Sequence, residues 1–283
     1  MVLMILGVGK GWHWIKDGFS IQRTAFPLAP IQESLVDEET RAALQQTYDY
    51  LGRGHQCYAF QSADGRYVLK LPRADRYRLP FWLKTCTFPF LDSYREALQK
   101  DKQSRKEFLL NSFQIAFTEL KEKTALLYLH LNRTDQLQTH LWVYDRLGRA
   151  YVLNLDQQAF ILQKKVPLMM PLFQEALRQR DYVKAQQILT SFLDFIALRS
   201  RKGIFNKDPS FLRNFGYTDQ GIQIDIGSFY RKEGEKIDAF LQTVGHVQEW
   251  LSQEDPLMAR WFHEQVDTLA QSLNLSDDSD RFL

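Results

Sequence analysis

The sequence predicts an α+β chain of two lobes, a β-rich first part followed by a short, mainly helical second part. Runs of β-branched and aromatic residues, punctuated by turn dipeptides, extend to Val166. Beyond Pro167, apolar residues recur at three- and four-residue steps. The order is strands with one helix, then helices with one hairpin, a segregation unlike the regular alternation of a doubly wound sheet.

Residues 31–50 are read as a short polar helix, with Asp37, Glu38 and Glu39 placed to meet the positive end of its dipole. Cys57 to Phe60, Tyr67 to Leu71, Leu141 to Asp145, Tyr151 to Leu155 and Phe160 to Val166 read as strands. Asp64-Gly65 and Leu147-Gly148 mark hairpin turns between them. One helix, roughly Ser93 to Lys123, interrupts the strands and offers Phe108, Leu109, Ala116 and Leu120 for burial. The second part holds helices over Met170 to Arg180, Tyr182 to Ser200, Ile237 to Leu251 and Pro256 to Leu273. A small hairpin at Asp219-Gln220-Gly221 lies within a turn-rich passage from Gly203 to Gly227. The division is therefore an N-terminal extension (1–45), a β-rich lobe (46–166, with an insert at 72–100) and a helical lobe (167–283). The Asp/Ser-rich stretch from Ser276 to Asp280 reads as a frayed tail.

The 283 residues carry 36 Lys plus Arg against 34 Asp plus Glu, a net charge of +2. This near-balance argues against a nucleic-acid partner, whose phosphates demand a basic surface, and against a protein whose main task is coating an acidic membrane. With 45% apolar residues a core forms readily, which excludes disorder. Cys57 and Cys86 are too few for a disulfide framework and lack metal-ligand spacing, so a reducing, cytoplasmic setting is the simpler reading. The apolar run from Met1 to Val8 is too short to span a bilayer and lacks the basic start of a secretory signal. Trp12, His13 and Trp14 offer a weak membrane-surface contact as an alternative to packing on the main body.

Four features carry the chemistry. Gly52 and Gly54 sit one residue apart before a strand, where backbone N–H groups can approach phosphate oxygens. A tight hairpin makes the same demand, so the pair alone is a weak signal. Lys70 ends the apolar run Val68-Leu69-Lys70; on an inner face its charge requires an anion. Asn206-Lys207-Asp208 through Asn214 places an acid and an amide in a loop after a long helix. In Ile224-Asp225-Ile226-Gly227 a carboxylate leaves an apolar strand where glycine permits a sharp turn, a good place for a divalent cation. Each loop taken alone could equally be a structural cap or turn.

Together and in this order, these features resemble the protein-kinase-like superfamily over roughly residues 50–230. The resemblance implies a two-lobed kinase-like fold that binds ATP with Mg2+. It implies that Gly52 and Gly54 cover the nucleotide and that Lys70 meets its phosphates. It makes Asp208 the catalytic Asp that orients an accepting hydroxyl, and Asn214 and Asp225 the metal ligands. It further implies a helix glutamate for Lys70; among Glu96, Glu107, Glu119 and Glu122, we select Glu119. Phe160 to Val166 would receive adenine.

The departures are specific. Cys57 stands where a third glycine would fall, and Asn206-Lys207-Asp208 replaces His-Arg-Asp. Five residues separate Asp208 from Asn214 where the pattern has four, and Ile226 replaces phenylalanine. No Ala-Pro-Glu follows. The expected function is phosphoryl transfer from ATP to a hydroxyl of an unknown acceptor. The alternatives are a pseudokinase scaffold with a protein partner, or a membrane-surface adaptor. The insert Arg78-Leu79-Pro80-Phe81-Trp82-Leu83-Lys84 through Phe88-Pro89-Phe90 reads first as a lid packed on the β-rich lobe and second as a docking surface.

Overall fold

The computed structural model describes residues 17–26, 36–86, 88–232 and 236–280, with backbone only over the last seven of these. Trp12, His13 and Trp14 lie outside the described residues, as do the first five of the 31–50 stretch. The fold is α+β: a curled, mixed seven-stranded sheet and a helical part. The chain divides into two compact units, residues 1–110 with 126–165 and residues 111–125 with 166–283.

The first unit opens with helices α1 (Ile21–Thr24) and α2 (Glu38–Leu44). Asp37 caps α2 by accepting from the Thr40 N–H at 2.7 Å, which fixes where that helix starts. The segment expected to continue as helix turns instead into β1 (Tyr48–Arg53), because Tyr48 and Tyr50 face the sheet's core. Strands β2 (Cys57–Ser62) and β3 (Tyr67–Pro72) follow, joined through Gly65 at φ +72°. Next come α3 (Phe81–Thr85) and the long α4 (Asp92–Glu119), whose residues from Asn111 onward count with the second unit. Strands β4 (Leu126–His130), β5 (His140–Tyr144), β6 (Ala150–Asn154) and β7 (Phe160–Lys164) complete the sheet.

The strand order is β4-β7-β3-β2-β1-β5-β6. Every pairing is antiparallel except β1 with β5. One face is an aromatic core of Phe19, Tyr48, Tyr58, Phe60, Tyr67, Tyr128 and Phe160, joined by Leu69 and Leu71. Phe19 meets Tyr58 and Phe60 edge-on, each with ring centroids 5.2 Å apart. At the far end of the sheet, Asp156 accepts from the Leu137 and Gln138 amides at 3.0 and 2.8 Å and from the Thr134 hydroxyl. Burial alone would raise this carboxyl, but those three donors outweigh it and hold Asp156 below its ordinary value.

The second unit contains α5 (Met169–Arg178), α6 (Tyr182–Arg201), α7 (Phe211–Asn214), α8 (Lys236–Glu254) and α9 (Pro256–Asp280). Helix α9 thus includes the Ser276 to Asp280 stretch expected to fray. Two antiparallel ribbons pair β9 (Phe215–Tyr217) with β10 (Gly221–Gln223), and β8 (Ile204–Asn206) with β11 (Phe229–Arg231). Gly221 is required by proximity: a Cβ there would stand 2.5 Å from the Ser191 carbonyl oxygen of α6. Both cysteines are free thiols. Among the described residues, no helix is long and apolar enough to cross a membrane.

Candidate functional site

In the second unit an aromatic cluster sets the position of the Asn206–Asn214 loop. Phe192 of α6 meets Phe211 and Phe215 edge-on at 4.8 and 4.9 Å, and these two rings flank Asn214. The short helix α7 (Phe211–Asn214) ends on Asn214 and leads directly into Phe215. Asn214 is buried, and its Nδ2 donates to the Asp208 carbonyl at 2.9 Å. Its own carbonyl accepts from the Ile224 amide at 2.8 Å. One residue therefore ties the Asp208 loop to the strand end that carries Asp225.

The tie is reinforced from two other directions. The β8–β11 ribbon sets Asn206 opposite Phe229, and the Lys207 amide donates to the Ser228 carbonyl at 3.0 Å. From α4, the buried Ser112 hydroxyl donates to the Ile226 carbonyl and accepts from the Phe229 amide, both at 2.6 Å. Asp225 is half-buried, and its Oδ1 accepts from the Gly227 amide at 3.2 Å, so the carboxylate shapes its own turn. Asp208 has an exposed side chain. Asp208, Asn214 and Asp225 are thus gathered on two loops fastened to each other.

A buried charge lies beneath. Arg199 is 1% exposed and donates to Gln223 Oε1 at 2.8 Å and to Thr243 Oγ1 at 3.2 Å. Burial pushes its guanidinium down to about 10, so it remains a cation at neutral pH. Among the described residues it has no ion pair with a carboxylate. Gln223 is the last residue of β10, two before Asp225, so this buried cation anchors the strand leading to the turn. Beside the loop lies a cavity of about 300 Å³, walled by the run Asp208 to Leu212, by Met170, and by His246, Val247 and Trp250.

In the first unit, Lys70 sits on β3 between Ala59 of β2 and Ile161 of β7. Leu69 and Leu71 enter the aromatic core, so strand alternation sends Lys70 to the opposite face, where it is half-buried. Gly54 closes the turn into β2 by donating its N–H to the Cys57 carbonyl at 2.8 Å. Gly52 lies in β1 beside an irregularity in the pairing with β2, and a Cβ there would meet nothing within 4 Å. The fold itself does not require glycine at position 52. Glu119, the glutamate selected for Lys70, is ion-paired with Arg231 of β11, and its carbonyl accepts from Lys202 Nζ at 3.2 Å. Its position at the end of α4 puts it beside β11 within the second unit.

The insert differs from the lid reading. Phe81, Trp82, Phe88 and Phe90 are 80%, 57%, 60% and 78% exposed, and only Leu83 is fully buried. Ser112, Arg199 and Gln223 escaped sequence reasoning altogether. Nothing local distinguishes a helix serine that will clamp a turn 114 residues away. Among the described residues, no three His, Cys, Asp or Glu side chains cluster as a metal cage. No family model matches the chain, and no curated protein matches it.

Proposed function

We propose that this chain is a protein-kinase-like nucleotide-binding protein that takes ATP with a divalent cation and transfers a phosphoryl group to a hydroxyl. The observation that carries the reading is the double role of Asn214, which holds the Asp208 loop and the Asp225 strand end together. With its Nδ2 committed to Asp208, the amide keeps Oδ1 as an oxygen donor, and Asp225 keeps Oδ2. One carboxylate and one amide oxygen fit Mg2+, which completes its shell with water and phosphate rather than an all-protein cage. Asp208 would accept the proton of the attacking hydroxyl, and the adjoining cavity offers room for the acceptor that carries it. Lys70, on β3, the second strand after the glycine turn, would neutralise phosphate charge, and Gly52 leaves open space above its backbone for the same group.

Thermal-shift titration with ATP, with and without magnesium, tests this directly. Lys70→Met should leave the protein folded and weaken ATP binding by roughly 1.5–3 kcal/mol, the worth of a charge-assisted contact. Unchanged affinity in the folded variant would remove Lys70 from the site. A second reading, a pseudokinase scaffold that binds nucleotide without transfer, is favoured by Asn206. Its Oδ1 accepts from the Asp208 amide at 2.7 Å, while its buried Nδ2 has no hydrogen-bond partner among the described residues. In that reading Asn206, in place of the histidine of His-Arg-Asp, orients the Asp208 backbone without activating its carboxylate.

A further inference from the structure

We propose that the aromatic insert between β3 and α4 docks this protein on a bilayer surface bearing anionic headgroups. Single exposed apolar residues are ordinary, but a concentration of them marks an interaction surface. Phe81, Trp82, Phe88 and Phe90 are all more than half exposed within ten residues, and Tyr94, one turn into α4, is 55% exposed. Phe88 and Phe90 stack on each other at 5.5 Å. Stacking between themselves leaves both rings facing water.

The backbone beneath these rings is held firmly. Arg95 of α4 donates Nε to the Leu83 carbonyl at 3.2 Å and reaches the Cys86 carbonyl as well. Lys102 Nζ donates to the Arg76 carbonyl at 2.7 Å, and Arg78 reaches back to the Gln22 and Ala25 carbonyls. Leu83, 0% exposed, is the apolar anchor. The insert is thus fixed from below by its base and one leucine, with its large rings outward, the reverse of a lid.

Charge selects the occupant. Lys84 falls between Trp82 and Phe88, Arg76 and Arg78 precede the rings and reach His55 and the Gln22 and Ala25 carbonyls, and no acidic residue occurs between Arg76 and Leu91. Lys84 is exposed on α3 beside Trp82. At the edge of the patch, Asp92 is exposed but ion-paired with Arg95, and Glu96 is the next exposed acid along α4. Aromatic rings with interspersed cations suit the headgroup boundary, where rings enter the acyl edge and lysine meets lipid phosphate. This inference is independent of nucleotide binding.

The test is flotation of the full chain with vesicles of phosphatidylcholine plus phosphatidylglycerol, against phosphatidylcholine alone. Wild type should float with the anionic vesicles and much less with the neutral ones. Lys84→Gln should reduce anionic partitioning roughly fivefold, the usual effect of one basic residue near such a surface. Replacing Phe81, Trp82, Phe88 and Phe90 together with Ser should abolish flotation while leaving the melting temperature close to wild type. Should that variant fail to fold, Phe81→Ser with Phe90→Ser, the two most exposed positions, serves in its place. Flotation retained by a folded Ser variant would assign membrane binding elsewhere and overturn the proposal. Absence of flotation in wild type would overturn it too, as would concentration-dependent dimers that the Ser variant abolishes.

Discussion

The side-chain amide of Asn214 and the main-chain carbonyl of Asp208, six positions apart in sequence, are joined at 2.9 Å by a bond partly shielded from water. The bond fixes the backbone of the acid and leaves its carboxylate exposed and free to act. Under the proposed function it would also divide the labour, with Asn214 and Asp225 holding the cation and Asp208 reacting.

That division gives the first prediction. Asp225→Asn should abolish the magnesium dependence of ATP binding, because the substitution removes the only carboxylate of the proposed pair. Asp208→Asn should spare ATP binding and eliminate ADP release or autophosphorylation. Calorimetric titration and a coupled ADP assay separate the two. In a nucleotide-binding scaffold only the Asp225 change registers, and if wild type binds neither ATP nor magnesium, both readings fail.

Two glycines should respond in opposite ways. Gly221→Ala forces a methyl against the Ser191 carbonyl of α6, where only 2.5 Å is available, and should cost about 1–3 kcal/mol. Gly52→Ala meets open space and should change stability by less than about 0.5 kcal/mol. If the turn covers a nucleotide, the Gly52 variant should nonetheless bind ATP more weakly. Paired denaturant melts and ATP titrations check both halves.

Asp156 supplies a pH dependence. Its folded-state pKa is depressed, so across the acid range the unfolded chain binds the extra proton and stability rises with pH. Its contribution is complete above about pH 4, the ordinary carboxylate range, and is lost as pH falls through the lower folded value. Asp156→Ala should cost about 1–3 kcal/mol at neutral pH by orphaning the Leu137 and Gln138 amides. The gap between variant and wild type should narrow below about pH 4. A constant gap from neutral pH down to pH 2 would show that the carboxylate's charge is not what matters there.

The Arg199–Gln223 contact should behave as a buried polar pair. Arg199→Met alone leaves Gln223 Oε1 without its donor and should destabilise by about 1–3 kcal/mol. Arg199→Met combined with Gln223→Leu removes both partners, and stability should return to wild type or rise above it. A double variant worse than the single would mean that the guanidinium meets an anion essential to the fold.

The strands were legible because their periodicity is local. Tyr67 to Leu71 and Phe160 to Val166 announce themselves by β-branched and aromatic content, and Gly65 and Gly148 by the left-handed turns they occupy. Leu126–His130 was missed because it follows the long helix after only a short turn, and its apolar run fits either structure. Tyr48 to Tyr50 was mistaken for the end of a helix because its strand character comes from neighbours in the sheet rather than from its own sequence. For the candidate site, the order of Lys70, Asp208, Asn214 and Asp225 was visible. The Glu119–Arg231 pair was not legible, because helix position alone cannot identify a partner 112 positions further on in sequence. The insert was misread because aromatic content says nothing about which way the rings face.

The Ser112 clamp has a consequence for how the second unit comes into being. Its hydroxyl reaches the Ile226 carbonyl from 114 residues earlier in the chain. Closing a loop of that length in an unstructured chain costs about 4 kcal/mol of entropy. During synthesis the serine emerges long before the turn it will hold, and the intervening residues 126–165 belong to the other unit. A fragment beginning at Val166 would keep Asp208, Asn214 and Asp225 yet lose Ser112, the acceptor of the Phe229 amide. The second unit is therefore continuous in space but not in sequence, and a truncation that respects the chain order would break the turn it aims to isolate.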